Sequence, residues 1–331
     1  MYTDLVNKKI LITGATGLIG QALVRFAAEK NMEIIALVRS KKKAHSLLGS
    51  FSRVSYIESD ITQIPLKDLG VDYIIHAAAN TSSSAFVEKP VSIINTSFQG
   101  MKRVLEFSRM NHIRGIAYLS SMEIYGIQDS DQKITESHSS SLNTMDSRSS
   151  YPESKRICEN MCASYWSQYG IPVKVVRLTQ TLGPGVQYND KRVFAEFARC
   201  VIEKKDIVLH THGHTKRSYL YIDDAVKAVF MVLLRGNAGE AYNAANEDTY
   251  CSIYEMATLV AEKFADNRIK VLVEPENIEK YGYAPTLHMN LDTSKLQALG
   301  WKPKTNLMQM YRYMIQDMKQ RYNTEESSKQ Q

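Results

Sequence analysis

A tyrosine and a lysine stand four residues apart in Tyr151-Pro-Glu-Ser-Lys155, and Ser121 precedes that tyrosine by thirty residues. At i and i+4 on a helix, Tyr151 and Lys155 share one face. An ammonium there lowers a phenol pKa that otherwise sits at about 10, which makes Tyr151 a usable acid and base near neutrality. Ser121, ending a strand, is placed to hydrogen-bond the same substrate oxygen. Near the start of the chain runs Gly14-Ala-Thr16-Gly17-Leu18-Ile19-Gly20. The first glycine permits a tight turn, the second lets backbone approach a pyrophosphate, and the third allows close helix–strand packing. The helix after this turn points its N-terminus toward the phosphates. A turn for a dinucleotide and a set that moves a proton while hydride moves are the two halves of a redox enzyme.

Those residues need a frame, and the apolar pattern supplies one. Lys9–Thr13 is a short apolar run before the glycines, Leu18–Lys30 has helical periodicity, and Glu33–Val38 is a second buried strand. Arg53–Ile57, Asp72–His76, Gly115–Ser120 and Val173–Val176 continue the strand series, with a helix over Val91–Asn111 and another from Tyr151. Alternating β and α predicts an α/β, Rossmann-like, doubly wound parallel sheet with ligands at its carboxyl edge. The expected dinucleotide domain covers residues 1–178 plus about 216–248. A smaller mixed C-terminal substrate lobe takes about 179–215 and 249–331, with residues 323–331 a disordered tail. Ile127–Ser150, rich in Ser, Asp, Asn and Thr, reads as a long loop between Ser121 and Tyr151: a mobile surface insertion or a cover for the substrate.

With 331 residues, 44% hydrophobic and 23% charged, the chain has the make-up of an ordinary globular protein. No apolar run approaches the roughly 18 residues of a membrane span, and the N-terminus lacks a signal-peptide core, so no membrane partner is expected. Cys158, Cys162, Cys200 and Cys251 show no framework spacing, which points to a reduced, cytoplasmic protein. The net charge of +6 comes from dispersed Lys and Arg, apart from Lys41–Lys43, without an aromatic-rich motif. That favours a solvated surface and a diphosphate-bearing substrate over nucleic acid. His210, His212 and His214 alternate as metal ligands on one face of a strand would, but nothing acidic or cysteine-rich is local, so a polar loop with no metal is favoured.

Taken together, GxxGxxG, Ser121 and Tyr-x-x-x-Lys resemble the extended short-chain dehydrogenase/reductases that act on nucleotide sugars, and the resemblance runs from about Lys8 to Pro303. It implies that Asp60 and Ile61 contact the adenine, that Ala77, Ala78 and Ala79 floor the cofactor, and that Lys155 also holds the nicotinamide ribose. It implies Gln180, Arg192 and Arg217 as substrate contacts, Gln180 standing where an Asn is usual, and a homodimer built on the Val91–Asn111 and Tyr151–Gln168 helices. At the end of the second strand, where NAD sites present a carboxylate, stand Arg39 and Ser40. A guanidinium there pairs with a 2′-phosphate, so NADP is favoured over NAD; stacking of Arg39 on adenine is the other reading.

Family members begin by oxidising the sugar, and neighbouring groups decide the next chemical step. The first reading is an epimerase or simple oxidoreductase working through a 4-keto sugar with Ser121, Tyr151 and Lys155. The second is a 4,6-dehydratase or a UDP-glucuronate-type decarboxylase in which Glu123 acts on the substrate. Met122, with no proton to give, stands where dehydratases carry an acid. The third is a non-catalytic NADP-binding regulator, against which the retained Ser121, Tyr151 and Lys155 argue.

Overall fold

The computed structural model describes residues 2–49, 51–139, 141–276 and 286–329; for Ser83, Ser84 and 323–329 it describes backbone only. Along the first half run β1 (Lys9–Thr13), α1 (Leu18–Glu29), β2 (Glu33–Val38), α2 (Lys41–Leu48), β3 (Val54–Glu58), β4 (Tyr73–His76), α3 (Ser83–Glu88), α4 (Pro90–Asn111), β5 (Gly115–Ser121) and α5 (Ser150–Tyr169). Then come β6 (Val173–Leu178), β7 (Gln180–Leu182), α6 (Val193–Glu203), β8 (Ile207–Leu209), β9 (Lys216–Tyr221), α7 (Ile222–Arg235), β10 (Ala241–Ala244), β11 (Asn246–Ser252) and α8 (Ile253–Phe264). The last described elements are β12 (Val271–Val273), β13 (His288–Met289), α9 (Ser294–Ala298) and α10 (Leu307–Lys329).

Seven strands pair in the order β3-β2-β1-β4-β5-β6-β10, all parallel. A parallel sheet is covered on both faces, so its strands are apolar on both sides. Alternation sorts them: Ile10 and Ile12 join Leu23 and Val24 of α1 and Phe230 of α7, while Leu11 meets Met101, Val104 and Leu105 of α4. Cys158 and Cys162 of α5 are buried on that second face, as packing residues. All four cysteines are free thiols. The order of strands reverses between β1 and β4, the point at which such sheets leave a crevice at their carboxyl edge.

The second lobe is built on β7, β9, β11 and β13, with β8 paired to β12, and a core from α6, α8 and α10. The boundaries differ from those read in the sequence. β9 bonds to β7, β11 and β13, so the return to the large sheet begins at α7 rather than near 216 and ends with β10. After the lobe the chain comes back once more: Leu296 and Trp301 are buried in the core under β1 and α7. α10, anchored by Met310, Tyr311, Met314 and Met318, continues as helix through residues 323–329, where a disordered tail was expected; residues 330–331 lie outside the described set. Once a helix is nucleated, each further residue adds a bond at little cost.

Ile127–Ser150 is fastened rather than loose. Gly126 bridges to Ser141 and Ile134 to Leu291, while Asp131 takes hydrogen bonds from Lys216 and Tyr250 at 2.9 and 2.6 Å. Among the described residues, no helix is long and apolar enough to cross a membrane.

Candidate active site

A cleft of about 1800 Å³ opens along the carboxyl edge of the large sheet and is closed on its far side by the second lobe. Its floor is the glycine turn. Gly14 has φ of +68°, and a Cβ there would stand 2.7 Å from the Ala78 nitrogen. A Cβ on Gly20 would meet the Gly14 carbonyl oxygen at 2.0 Å. Neither position accepts a side chain without backbone movement. Thr13 ties the turn to the neighbouring strand: its hydroxyl accepts from the Ala78 N–H at 3.2 Å and bonds His76 Nδ1 at 2.7 Å. Ala77, Ala78 and Ala79 thereby line the cleft beside Gly14, Thr16 and Gly17. α1 begins at Leu18, and the N–H groups of its first turn have no partner within the helix. The residues present fit a dinucleotide: a backbone cradle with no room for a Cβ at Gly14 or Gly20, at a helix N-terminus.

The other expected residues of this half divide. Arg39 and Lys43 line the cleft at the end of β2, and so do Asp60 and Ile61. Ser40 does not: its hydroxyl accepts from the Lys43 N–H at 3.3 Å and caps α2. Leu18 packs toward the second lobe and Ile19 into the core under α1, so those two offer backbone alone.

Ser121, at the end of β5, and Tyr151 and Lys155, in the first turns of α5, come together at the same edge. Lys155 lies 5.8 Å from the Tyr151 ring centre and 4.7 Å from that of Tyr118. Its ammonium donates to the Leu119 carbonyl at 2.6 Å. Their chain neighbours Met122, Glu123, Ser149 and Pro152 line the cleft. Phe86 of α3 stacks flat on Tyr151, with ring centres 4.3 Å apart and planes at 9°.

The family model for the NAD dependent epimerase/dehydratase family matches residues 10–245. The chain belongs to that family. UDP-glucuronic acid decarboxylase 6 of Arabidopsis thaliana is 30% identical over 323 residues, 95% of this chain and 90% of the relative. Among solved structures, the UDP-glucose 4-epimerase of Thermotoga maritima, with UDP-glucose, superposes with a TM-score of 0.82 at 19% identity, over 95% of this chain and 99% of the other. The dTDP-glucose 4,6-dehydratase of Streptomyces venezuelae, with NAD bound, gives a TM-score of 0.79 at 20% identity, over 94% and 97%. These structures share the fold. Membership makes this chain an enzyme that depends on a nicotinamide dinucleotide, and the reading as a binding-only regulator falls.

The electrostatics of this epimerase/dehydratase site differ from the expectation in one respect. The Tyr151 phenol is pushed up, by burial first and then by the Glu123 charge, while Ser121, Arg148 and Arg192 pull it down. The Lys155 ammonium is turned to the Leu119 carbonyl. Burial lowers Lys155 itself to about 8 and lowers His76 to about 3, helped by the Lys155 charge. His76 is therefore a neutral hydrogen-bonding group under the cofactor floor.

On the substrate side, Gln180, Arg192 and Arg217 all line the cleft. Arg192 is committed to Asp190, which it grips through Nε at 3.0 Å and Nη2 at 2.6 Å. Arg217 differs: its Nε is buried with no hydrogen-bond partner among the described residues. His210, His212 and His214 line the same stretch. His210 pairs with Glu276 at 3.0 Å, and His212 stacks on His214. Among the described residues no group of three ligands gathers for a metal.

Sequence reasoning missed Arg148 and Phe86. Arg148 donates to Glu123 at 3.1 Å and lies 5.4 Å over the Phe86 ring. Its position three residues before Tyr151, at the entrance to the helix, was the available signal.

Proposed function

We propose that this enzyme oxidises C4 of a nucleotide-diphosphate sugar to a 4-keto sugar and then returns the hydride, as an epimerase or simple oxidoreductase. The observation that carries the reading is the meeting of Ser121, Tyr151 and Lys155 beside the Gly14–Gly20 cradle. When bound, the dinucleotide supplies hydride acceptance and donation. Tyr151 takes the C4 hydroxyl proton as the C–H bond breaks and gives it back when the ketone is reduced. Ser121 donates a hydrogen bond to the same oxygen. Lys155 opposes the desolvation that burial imposes on the phenolate, once a ligand ribose draws its ammonium from Leu119. Arg217 is the contact for the substrate diphosphate, since its enclosed Nε lacks an acceptor. Arg39 and Lys43 favour NADP over NAD, two cations and no carboxylate standing where a 2′-phosphate would lie.

Exposed Val91, Ile94 and Phe98 fall at helical spacing on one face of α4, and Ile157 is exposed on α5, which packs against α4. That stripe supports a homodimer through these two helices. A second reading has one specific observation in its favour. Glu123, paired with Arg148, stands beside the Tyr151 phenol, where a group acting on C5 is needed after the 4-keto sugar has formed. The relative named a UDP-glucuronic acid decarboxylase fits that reading.

The test is a panel of nucleotide sugars incubated with enzyme and NADP or NAD, with products identified by NMR. Tyr151→Phe keeps the ring and removes the exchangeable proton, and should lose about 10²–10⁴-fold in turnover. Full activity in that variant, with cofactor affinity intact, would refute the assignment.

A further inference from the structure

The guanidinium of Arg148 is placed and charged but underused. Its backbone N–H bonds Asp146 at 2.9 Å, which fixes where the side chain leaves the loop. Phe86 supports its face, and Phe86 is in turn stacked on Tyr151. Of its five N–H donors, only Nη1 meets a described residue, Glu123. Nε is buried without any partner among the described residues. An enclosed charged donor with no acceptor is costly, and nothing described in the chain removes that cost. The acceptor must come from outside. Arg148 lines the cleft, and its charge, with that of Arg192, bears on the Tyr151 phenol. Met122, which lines the same cleft, is an apolar side chain with no donor to offer a sugar hydroxyl.

We propose that Arg148 is a specificity-determining residue that binds a carboxylate on C5 of the substrate sugar, so that the enzyme selects nucleotide-linked uronates over neutral hexoses. The inference rests on the proposed reading that C4 of a nucleotide sugar reacts at Tyr151. With C4 at the phenol, C5 is the next carbon, and its substituent falls toward the Glu123–Arg148 edge of the site. A carboxylate is planar and matches the guanidinium fork with two parallel hydrogen bonds. Glu123 already occupies Nη1, so the fork formed by Nε and Nη2 is the one available. A hydroxymethyl group in the same place has one neutral acceptor oxygen for that fork and no charge to set against the guanidinium.

The experiment is a calorimetric titration of dinucleotide-loaded protein with UDP-glucuronate and with UDP-glucose, in a Tyr151→Phe background so that neither is turned over. The uronate should bind more tightly. Arg148→Met, which keeps the stem and removes the charge, should weaken UDP-glucuronate by about tenfold or more, as loss of a charged hydrogen bond does. It should change UDP-glucose by less than about threefold on the same scale. Arg148→Lys, a point charge without the fork, should fall between the two and serves as the decisive variant if Arg148→Met does not fold. Affinity for UDP alone and the thermal midpoint report folding. Uronate binding no tighter than that of UDP-glucose overturns the inference, as does an equal loss for both sugars in either Arg148 variant. The underlying reading fails separately, if no nucleotide sugar reduces the bound dinucleotide in the unmodified enzyme.

Discussion

Replacing Lys155 by Met should make this protein more stable and inactive. The ammonium is buried, and burial lowers its pKa from 10.5 to about 8. A displacement of that size is worth roughly 3 kcal/mol against the charged form in the folded chain. At pH 7 both folded and unfolded chains carry the proton, so the whole of that cost is present. Methionine has a similar shape and no charge. It gives up the hydrogen bond to Leu119, worth about 1 kcal/mol, which leaves a net gain of roughly 2 kcal/mol. The sign is checked by pH. Between 8 and 10.5 the unfolded chain still binds the proton and the folded one does not, so the stability of the unmodified protein rises with pH. The variant has no such proton, and its advantage should shrink by roughly 3 kcal/mol from about pH 7 to about 10.5. Urea denaturation of both proteins across that range measures the difference, with turnover assayed alongside. A variant less stable than its parent at pH 7, or a difference that stays flat with pH, would refute the reasoning.

Arg39→Ala should weaken NADP by roughly tenfold or more while leaving NAD nearly unchanged; calorimetry showing the unmodified enzyme to bind NAD more tightly would reverse the cofactor assignment. Glu123→Gln separates the two reactions: an epimerase keeps most of its activity, because C4 hydride transfer does not use that carboxylate, whereas a reaction continuing at C5 loses it, as NMR of the products will show. His76, lowered from 6.5 to about 3 by burial, stays neutral in the folded chain while the unfolded one takes up a proton. Stability should therefore fall as pH drops from 6.5 toward 3. Over about pH 6.5 to 4.5 the parent should lose roughly 2 kcal/mol more than His76→Gln in urea denaturation. Phe98→Asp places a charge on the exposed α4 stripe and should convert a dimer to a monomer in light scattering, with the secondary structure by circular dichroism intact.

The parallel sheet was legible because its signal is local. Lys9–Thr13, Glu33–Val38 and Gly115–Ser121 are apolar runs between helical periods, and pairing merely stacks them in an order that the crossovers dictate. Gly14, Tyr151 and Lys155 were legible for the same reason, since each motif lies within one turn or one helix. The features that escaped lie between segments distant in the chain. Phe86 stacks on Tyr151 from another helix, far off in sequence, and no spacing rule connects them. β9 reads as the start of the return to the large sheet, yet its backbone bonds go to β7, β11 and β13, a choice made by pairing rather than by propensity. Ser40 is the residue type expected near a ribose, and also the type that caps helices; three residues on, Lys43 offers an N–H, and the cap takes the hydroxyl. Lys155 had the right neighbour and the wrong direction, because a strand carbonyl at 2.6 Å competes with the phenol for its proton.

That competition bears on how the site works. Three groups are held in surroundings less favourable than water: the Lys155 ammonium, the His76 ring near it, and the Arg148 Nε. Each is costly to bury. Two of them would gain a partner from a ligand in the proposed reading: a ribose hydroxyl for Lys155 and a substrate anion for Arg148. His76 is satisfied by Thr13 and stays neutral, which keeps a second positive charge from Lys155. Binding therefore has free energy to recover at the points where orientation matters, and a substrate lacking one of those partners forgoes that part of it. Selectivity for the sugar then depends on which donors are left without an acceptor, and in the proposed reading the Nε edge of Arg148 is the one that distinguishes a carboxylate from a hydroxymethyl group.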